Sequence, residues 1–207
     1  MPDLIIASEN PGKLVEIQDI LKELPIRLLS PAQLGLHLNV AETGATYAEN
    51  AAMKAQAYGQ ASQLPALGDD SGLEVAALGG RPGLHSHRFA PQPGATDADR
   101  RAYLLELLGS HPVPPGLPGW PAAFHCTVAV ATPAGDLQFA RGQCEGVIIS
   151  EERGTGGFGY DPIFFIPEAG MTMAELGMEA KNRISHRARA VQAALPILKK
   201  ILDLSDL

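Results

Sequence analysis

The chain has 207 residues, 45% of them hydrophobic and 19% charged, with a formal net charge of −7. That length and apolar share suit one domain with a real core, and the negative balance argues against a nucleic-acid backbone as the main partner. No apolar stretch approaches the ~20 residues of a membrane helix, Met1-Pro2-Asp3 lacks the layout of a secretion signal, and Cys126 and Cys144 lack metal-type spacing. The expectation is a cytoplasmic protein with reduced, buried thiols and no membrane partner.

Leu4–Ala7 reads as a buried strand. From Pro11 on, Leu14, Ile17, Leu21 and Leu24 recur at helical spacing, and Pro25 stops the helix. Ile26–Leu29 is a second strand. Thr46-Tyr47-Ala48-Glu49 has capping-box form, and Tyr47, Ala51, Ala55 and Tyr58 share a face of the helix that follows. Leu73 and Val75 alternate around Glu74, as in a strand leaving a loop. A helix starts near Thr96 and carries Tyr103, Leu104, Leu107 and Leu108. Ser110 to Pro121 is a proline-rich surface connection. Phe124, Cys126, Val128 and Val130 alternate with His125, Thr127 and Ala129 in a strand. Thr132 to Asp136 is a turn, and Leu137–Ala140 returns antiparallel. Val147–Ile149 and Ile163–Ile166 are further strands, and Thr172 to Leu176 a short capped helix. Ser185 caps a long helix with Ala188, Val191, Leu195, Leu198 and Leu202 inward and a kink at Pro196. Strand-helix-strand and hairpin units together predict an α/β fold with a mixed, twisted sheet and helices on both sides.

Several stretches carry residues that folding alone explains poorly. In "SENPGK", Asn10 caps a helix and Pro11 starts it, but the same helix N-terminus is an anion site. Lys13 sits in its first turn, where a cation is disfavoured unless it reaches a phosphate. In "GDDSG", the adjacent carboxylates of Asp69 and Asp70 are costly to hold together without a shared cation. If the stretch is a strand, only one of them faces the site; if it is a turn, an aspartate bonds its own backbone. With Ser71 beside them, a Mg²⁺ site is the better reading, and Glu42 is a candidate second carboxylate. Glu49 is accounted for by the capping box. Lys54 lies on the same helix, where a solvated lysine is the ordinary outcome.

In "GTGGFGYDPIFF", Phe158, Tyr160 and Asp161 suit stacking on a ring and accepting its N–H groups. The structural alternative is a glycine-rich hairpin with Tyr160 and Phe164 in the core; Phe164 and Phe165 read as core and Phe158 does not. In "KNRISHRAR", His186 and Arg187 fall at the positive end of a helix. That costs roughly 0.3–1 kcal/mol per group, which an anionic or carbonyl-bearing ligand would offset. Arg183 and Arg189 fit a solvated basic turn.

Taken together, "SENPGK", "ETGATYAENAAMKA", "GDDSGLEV" with "GGRPGLHSHRF", "GTGGFGYDPIF" and "KNRISHR" resemble the inosine triphosphate pyrophosphatase family from Leu4 to about Ala190. The resemblance implies a single two-lobed domain over residues 1–207 with a cleft between the lobes, a homodimer, and Mg²⁺-dependent hydrolysis of ITP, dITP and XTP to the monophosphate and pyrophosphate. It makes Asp70 the proton acceptor and a metal ligand, with Glu42 the second metal ligand. It places Ser8, Glu9, Asn10, Pro11, Gly12, Lys13 and Ser71 around the phosphates, with Lys54 near them, Lys13 and Lys54 acting with Asp70. It assigns Phe158, Gly159, Tyr160 and Asp161 to the base, together with Lys181, His186 and Arg187. On this reading Lys181 and Arg187 donate to the 6-oxo group. Glu9, Pro11, His87, the proline-rich stretch and Pro196 depart from the commonest pattern. The rival readings are a Maf-like pyrophosphatase and a non-catalytic nucleotide sensor.

Overall fold

The computed structural model describes residues 1–204. In chain order the elements are β1 (Asp3–Ile6), α1 (Pro11–Leu21), β2 (Arg27–Leu29), α2 (Tyr47–Ser62), β3 (Ala66–Val75), β4 (Pro82–Gly83), α3 (Asp97–Leu108), β5 (Trp120–Ala131), β6 (Leu137–Ile148), β7 (Phe164–Ile166), β8 (Met171–Thr172), α4 (Met178–Ile184) and α5 (His186–Ile201). The strands join in the order β2-β1-β3-β5-β6-β7-β8, with β4 beside β3. β1 pairs in parallel with β2 and β3, whereas β4 on β3, β7 on β6 and β8 on β7 are antiparallel. The sheet is therefore mixed, as the sequence predicts.

The chain divides into two compact units. The first comprises Met1–Ser71, Cys126–Gln143 and Ser185–Leu207. Strand parity organises it. Leu4, Ile6 and Leu67 point with Val128 and Val130 into a core completed by Ile17 and Leu21 of α1 and by Ala190, Val191, Ala194 and Leu198 of α5. The alternate residues Ile5, Ala7 and Ala66 pack on Tyr58 of α2, and Ala129 and Ala131 on Ala51 and Ala55. The layer is thus helix, sheet, helix, because each strand is apolar on both faces. α5 runs unbroken from His186 to Ile201 with Pro196 inside it.

The second unit comprises Gly72–His125 and Cys144–Ile184. Its core gathers Leu73 and Val75, Leu104 and Leu108 of α3, Phe124, Ile148, Ile163, Phe164 and Met173. The proline-rich connection is tied to β5 by Trp120, whose Nε1 donates to the His111 carbonyl at 2.9 Å.

Three expectations are corrected here. "GDDSG" is not a loop: it lies inside β3. The strands at Leu137–Ala140 and Val147–Ile149 are one, since β6 runs from Leu137 to Ile148. Thr172–Leu176 is not a helix. Thr172 and Glu175 exchange capping-box hydrogen bonds, Glu175 N to Thr172 Oγ1 and Thr172 N to Glu175 Oε2, but close a single turn. The helix follows as α4, a short segment of its own over Met178–Ile184.

Candidate active site

The first unit holds a charged constellation on both faces of β3. The turn after β1 is closed by its own side chains: Ser8 Oγ accepts from Asn10 N at 3.2 Å, and Asn10 Oδ1 accepts from Lys13 N at 3.1 Å. Asn10 is therefore the N-cap and Pro11 the first helical residue, which is the structural half of the expectation. Lys13 goes further. Its ammonium lies 3.0 Å from Asp69 Oδ2. The same oxygen accepts from Arg187 Nε at 3.2 Å, Arg187 Nη2 donates to Ser71 Oγ at 3.0 Å, and Arg187 Nη1 pairs with Glu16.

Burial alone would raise the Asp69 carboxyl, but the positive charges of Lys13 and Arg187 outweigh it and hold it well below the usual carboxylate range. Asp69 Oδ1 is buried and has no hydrogen-bond partner among the described residues.

Asp70 points the other way along the strand, towards α2. Asn50 Nδ2 donates to its Oδ2 at 3.0 Å, and the Ser71 N–H donates to its Oδ1 at 3.0 Å. The Lys54 ammonium lies 3.8 Å from Asp70 Oδ1 and 3.2 Å from Glu42 Oε1. Burial raises the Asp70 carboxyl above its ordinary value, with Lys54 the chief opposing influence and Lys13 also acting on it. The two neighbouring aspartates thus shift in opposite directions, Asp69 down beside Lys13 and Arg187 and Asp70 up through burial.

The close approach of α2 makes this possible. A Cβ on Gly68 would lie 2.5 Å from the Ala51 carbonyl oxygen and 2.8 Å from the Ala55 nitrogen. Gly68→Ala is accordingly expected to cost about 1–3 kcal/mol through overpacking and to push Asn50 and Lys54 off Asp70. Thermal melts check the cost; a variant that keeps wild-type Tm would refute the packing argument.

Two site residues escape the sequence reading. Asn50 anchors Asp70 and also accepts from Gly44 N at 2.8 Å. Its signal is a poor helix former placed one turn before Lys54 in an alanine-rich helix. Glu16, one turn beyond Lys13, is buried against Arg187. A buried glutamate on a helix that faces a core demands a cation.

Other residues are placed differently from expectation. Glu9 accepts from the Tyr58 hydroxyl at 3.0 Å. Glu49 reaches back to the Ala45 N–H, one residue before the Thr46 N-cap. Arg187 is only 2% exposed; its donors are engaged by Glu16, Asp69 and Ser71 rather than presented to a base. Glu16 and Asp69 are internal anions that offset its place at the start of α5. His186 is buried beside it.

The second unit carries the aromatic–carboxylate set. Asp161 Oδ2 accepts from Lys181 Nζ at 2.7 Å and from Phe158 N at 3.0 Å, and Lys181 Nζ stands 5.4 Å from the Phe158 ring centroid. Gly157 has φ +72°, and a Cβ there would lie 2.0 Å from Asp161 Oδ2, so the turn admits only glycine. Tyr160 is a correction: it is 4% exposed and its hydroxyl donates to the Ser86 carbonyl at 2.8 Å. Burial pushes the phenol pKa up, and the ring is core. Phe158 is half-buried.

The Ham1 family model matches residues 4–197. The chain belongs to the Ham1 family. Curated relatives of this Ham1 chain include a "dITP/XTP pyrophosphatase" of Geobacter sulfurreducens, 47% identical over 92% of this chain and 94% of that protein. Another, from Thermus thermophilus, bears the same name and is 45% identical over 95% of this chain and 91% of that protein. Among solved structures, a HAM1 protein from Coxiella burnetii superposes with a TM-score of 0.83 at 39% identity, covering 97% of this chain and 100% of that one. Among the described residues, no helix of this Ham1 chain is long and apolar enough to cross a membrane.

Proposed function

We propose that this chain hydrolyses non-standard purine nucleoside triphosphates, dITP, ITP and XTP, to the monophosphate and pyrophosphate, acting as a cytoplasmic homodimer. Membership of the Ham1 family and the dITP/XTP pyrophosphatase relatives support the reaction class. The observation that carries the chemistry is the pair of unlike aspartates on β3, each matched to lysine.

Mg²⁺ fits the α2 face. The reading is supported by the Lys54 ammonium, which lies 3.2 Å from Glu42 Oε1 and 3.8 Å from Asp70 Oδ1, so both carboxylates already face one positive charge. Hard oxygen donors in this number suit a Mg²⁺ that also takes substrate phosphates. Bound there, the ion supplies charge neutralisation and acidifies water.

This chain's own residues do the rest. Asp70, with its raised affinity for a proton, accepts one from the attacking water. Lys54 and Lys13 absorb charge on the phosphate oxygens, assisted by the positive dipole end of α1. Asn50 and the Ser71 N–H fix the Asp70 carboxylate, and Asp69 fixes Lys13 while Arg187 fixes Asp69. At the base end, Phe158 stacks on the purine and Lys181 donates to a 6-oxo group, its charge held by Asp161. Adenine offers a 6-amino donor instead, and a site built on hydrogen bonds rejects such an analogue by up to ~10⁴–10⁵-fold.

A panel of dITP, XTP, ITP, ATP and GTP, assayed for pyrophosphate with Mg²⁺ and with chelator, tests the reading. Turnover of the first three with Mg²⁺ and little of ATP is expected. Binding without pyrophosphate release would favour the sensor.

A further inference from the structure

The glycine loop that carries Phe158 is gripped from outside by the first turn of α3. Gly159 N donates to Asp97 Oδ2 at 2.8 Å, and the Gly159 carbonyl accepts from Arg101 Nη1 at 2.9 Å. One residue, with φ +63° and open space around its missing side chain, therefore has both its peptide groups held by ionised side chains of one helix. Each grip is itself braced. Arg101 forms a two-pronged pair with Glu152, Nε to Oε1 at 2.8 Å and Nη2 to Oε2 at 2.9 Å. Asp97 pairs with Arg100, which donates to the Ala95 carbonyl at 2.6 Å. On the inner side Asp161 holds the Phe158 N–H.

Nothing in α3 packing requires this. The apolar face of α3 is already buried through Leu104 and Leu108, and its start is capped by Thr96 with Asp99. Asp97 and Arg101 lie one turn apart on the helix, so their separation suits a donor and an acceptor on either side of one residue. Charge-assisted hydrogen bonds of this kind are about twice as strong as neutral ones.

We propose that Asp97 and Arg101 are positioning residues for substrate specificity: they hold Gly159 in its left-handed conformation and so set the Phe158 ring against the purine. The inference rests on the assignment of Phe158 to the base. A loop of glycines at 154, 156, 157 and 159 would otherwise sample many backbone states, and base stacking would lose its pre-organisation.

The test compares Asp97→Ala, Arg101→Ala and the milder Arg101→Lys with wild type, using ITP and ATP as substrates and inorganic pyrophosphate as inhibitor. KM for ITP should rise by about tenfold or more while kcat changes less than about twofold, and the ITP-to-ATP ratio of kcat/KM should shrink. The pyrophosphate inhibition constant should stay put, because it reports the phosphate end alone. Asp97→Asn, whose amide oxygen still accepts from Gly159, should recover most of the loss. Folded variants with unchanged KM and ratio would overturn the proposal, as would a parallel change in pyrophosphate inhibition. Phe158→Ala in the same assays separates the two levels. A defect there without one in the α3 variants sinks the clamp alone; no defect in Phe158→Ala sinks the base assignment and the clamp with it.

Discussion

Asp70→Asn should lower kcat by at least ~10²-fold. The carboxylate is buried, receives hydrogen bonds from Asn50 and the Ser71 N–H, and has its pKa raised by burial against the opposition of Lys54. An amide of the same shape keeps one oxygen to accept from either Asn50 or the Ser71 N–H, turns its NH2 towards the other donor, and takes no proton. The stability sign follows from linkage. A carboxyl whose folded pKa lies above its unfolded value favours folding below the unfolded value, and that contribution is lost as pH rises through the folded one. At neutral pH the ionised Asp70 is therefore a burden on the metal-free protein. Near-wild-type turnover in Asp70→Asn would remove this residue from the chemistry.

Arg187→Ala should be the most destabilising single change at the site. It leaves Glu16 and Asp69 buried without the guanidinium that joins them. Breaking a buried pair from one side costs about 3–5 kcal/mol, and for a chain of this size each kcal/mol lowers Tm by about 2–4 °C. The pH dependence has the opposite sense to Asp70. Asp69 has a depressed pKa, so its stabilisation is present above the unfolded carboxylate value and lost as pH falls through the lower folded one. Removing Arg187 raises the folded value, so acid unfolding should begin at higher pH. Kinetically, kcat should fall for ITP and ATP by similar factors, since Arg187 acts through Asp69 on Lys13. A narrowed ITP-to-ATP ratio would instead return Arg187 to base recognition.

What the sequence made legible was local. Leu4–Ala7, the cap at Asn10-Pro11, Thr46 and Ser185 are written in period and cap chemistry, and the structure shows each of them. The motifs also marked residues that the fold brings together, since Lys13 pairs with Asp69 while Lys54 pairs with Glu42 and Asp70. Those pairings were not legible. "GDDSG" resembles a turn because composition suggests solvated carboxylates. It is a strand because Lys13 and Arg187 on one face and Lys54 and Asn50 on the other compensate the charge. Those partners come from α1, α2 and α5, and no spacing rule connects residue 69 with residue 187. By its place at the start of a helix a cation such as Arg187 invites an anion, and the long-range partner Glu16 supplies one that no local spacing reveals. Tyr160 illustrates the reverse case. A tyrosine in a glycine loop suggests an exposed ring, but the Ser86 carbonyl gives its hydroxyl a buried partner.

The central claim is that Asp70 and Glu42 hold the cation that carries the polyphosphate. Its most direct test is electron paramagnetic resonance of Mn²⁺ bound in place of Mg²⁺ with a non-hydrolysable dITP analogue. The account predicts phosphorus hyperfine coupling to the ion in the wild type, and loss of the tightly bound Mn²⁺ signal in Asp70→Asn and Glu42→Gln. Undiminished Mn²⁺ binding with the same coupling in both variants would contradict it.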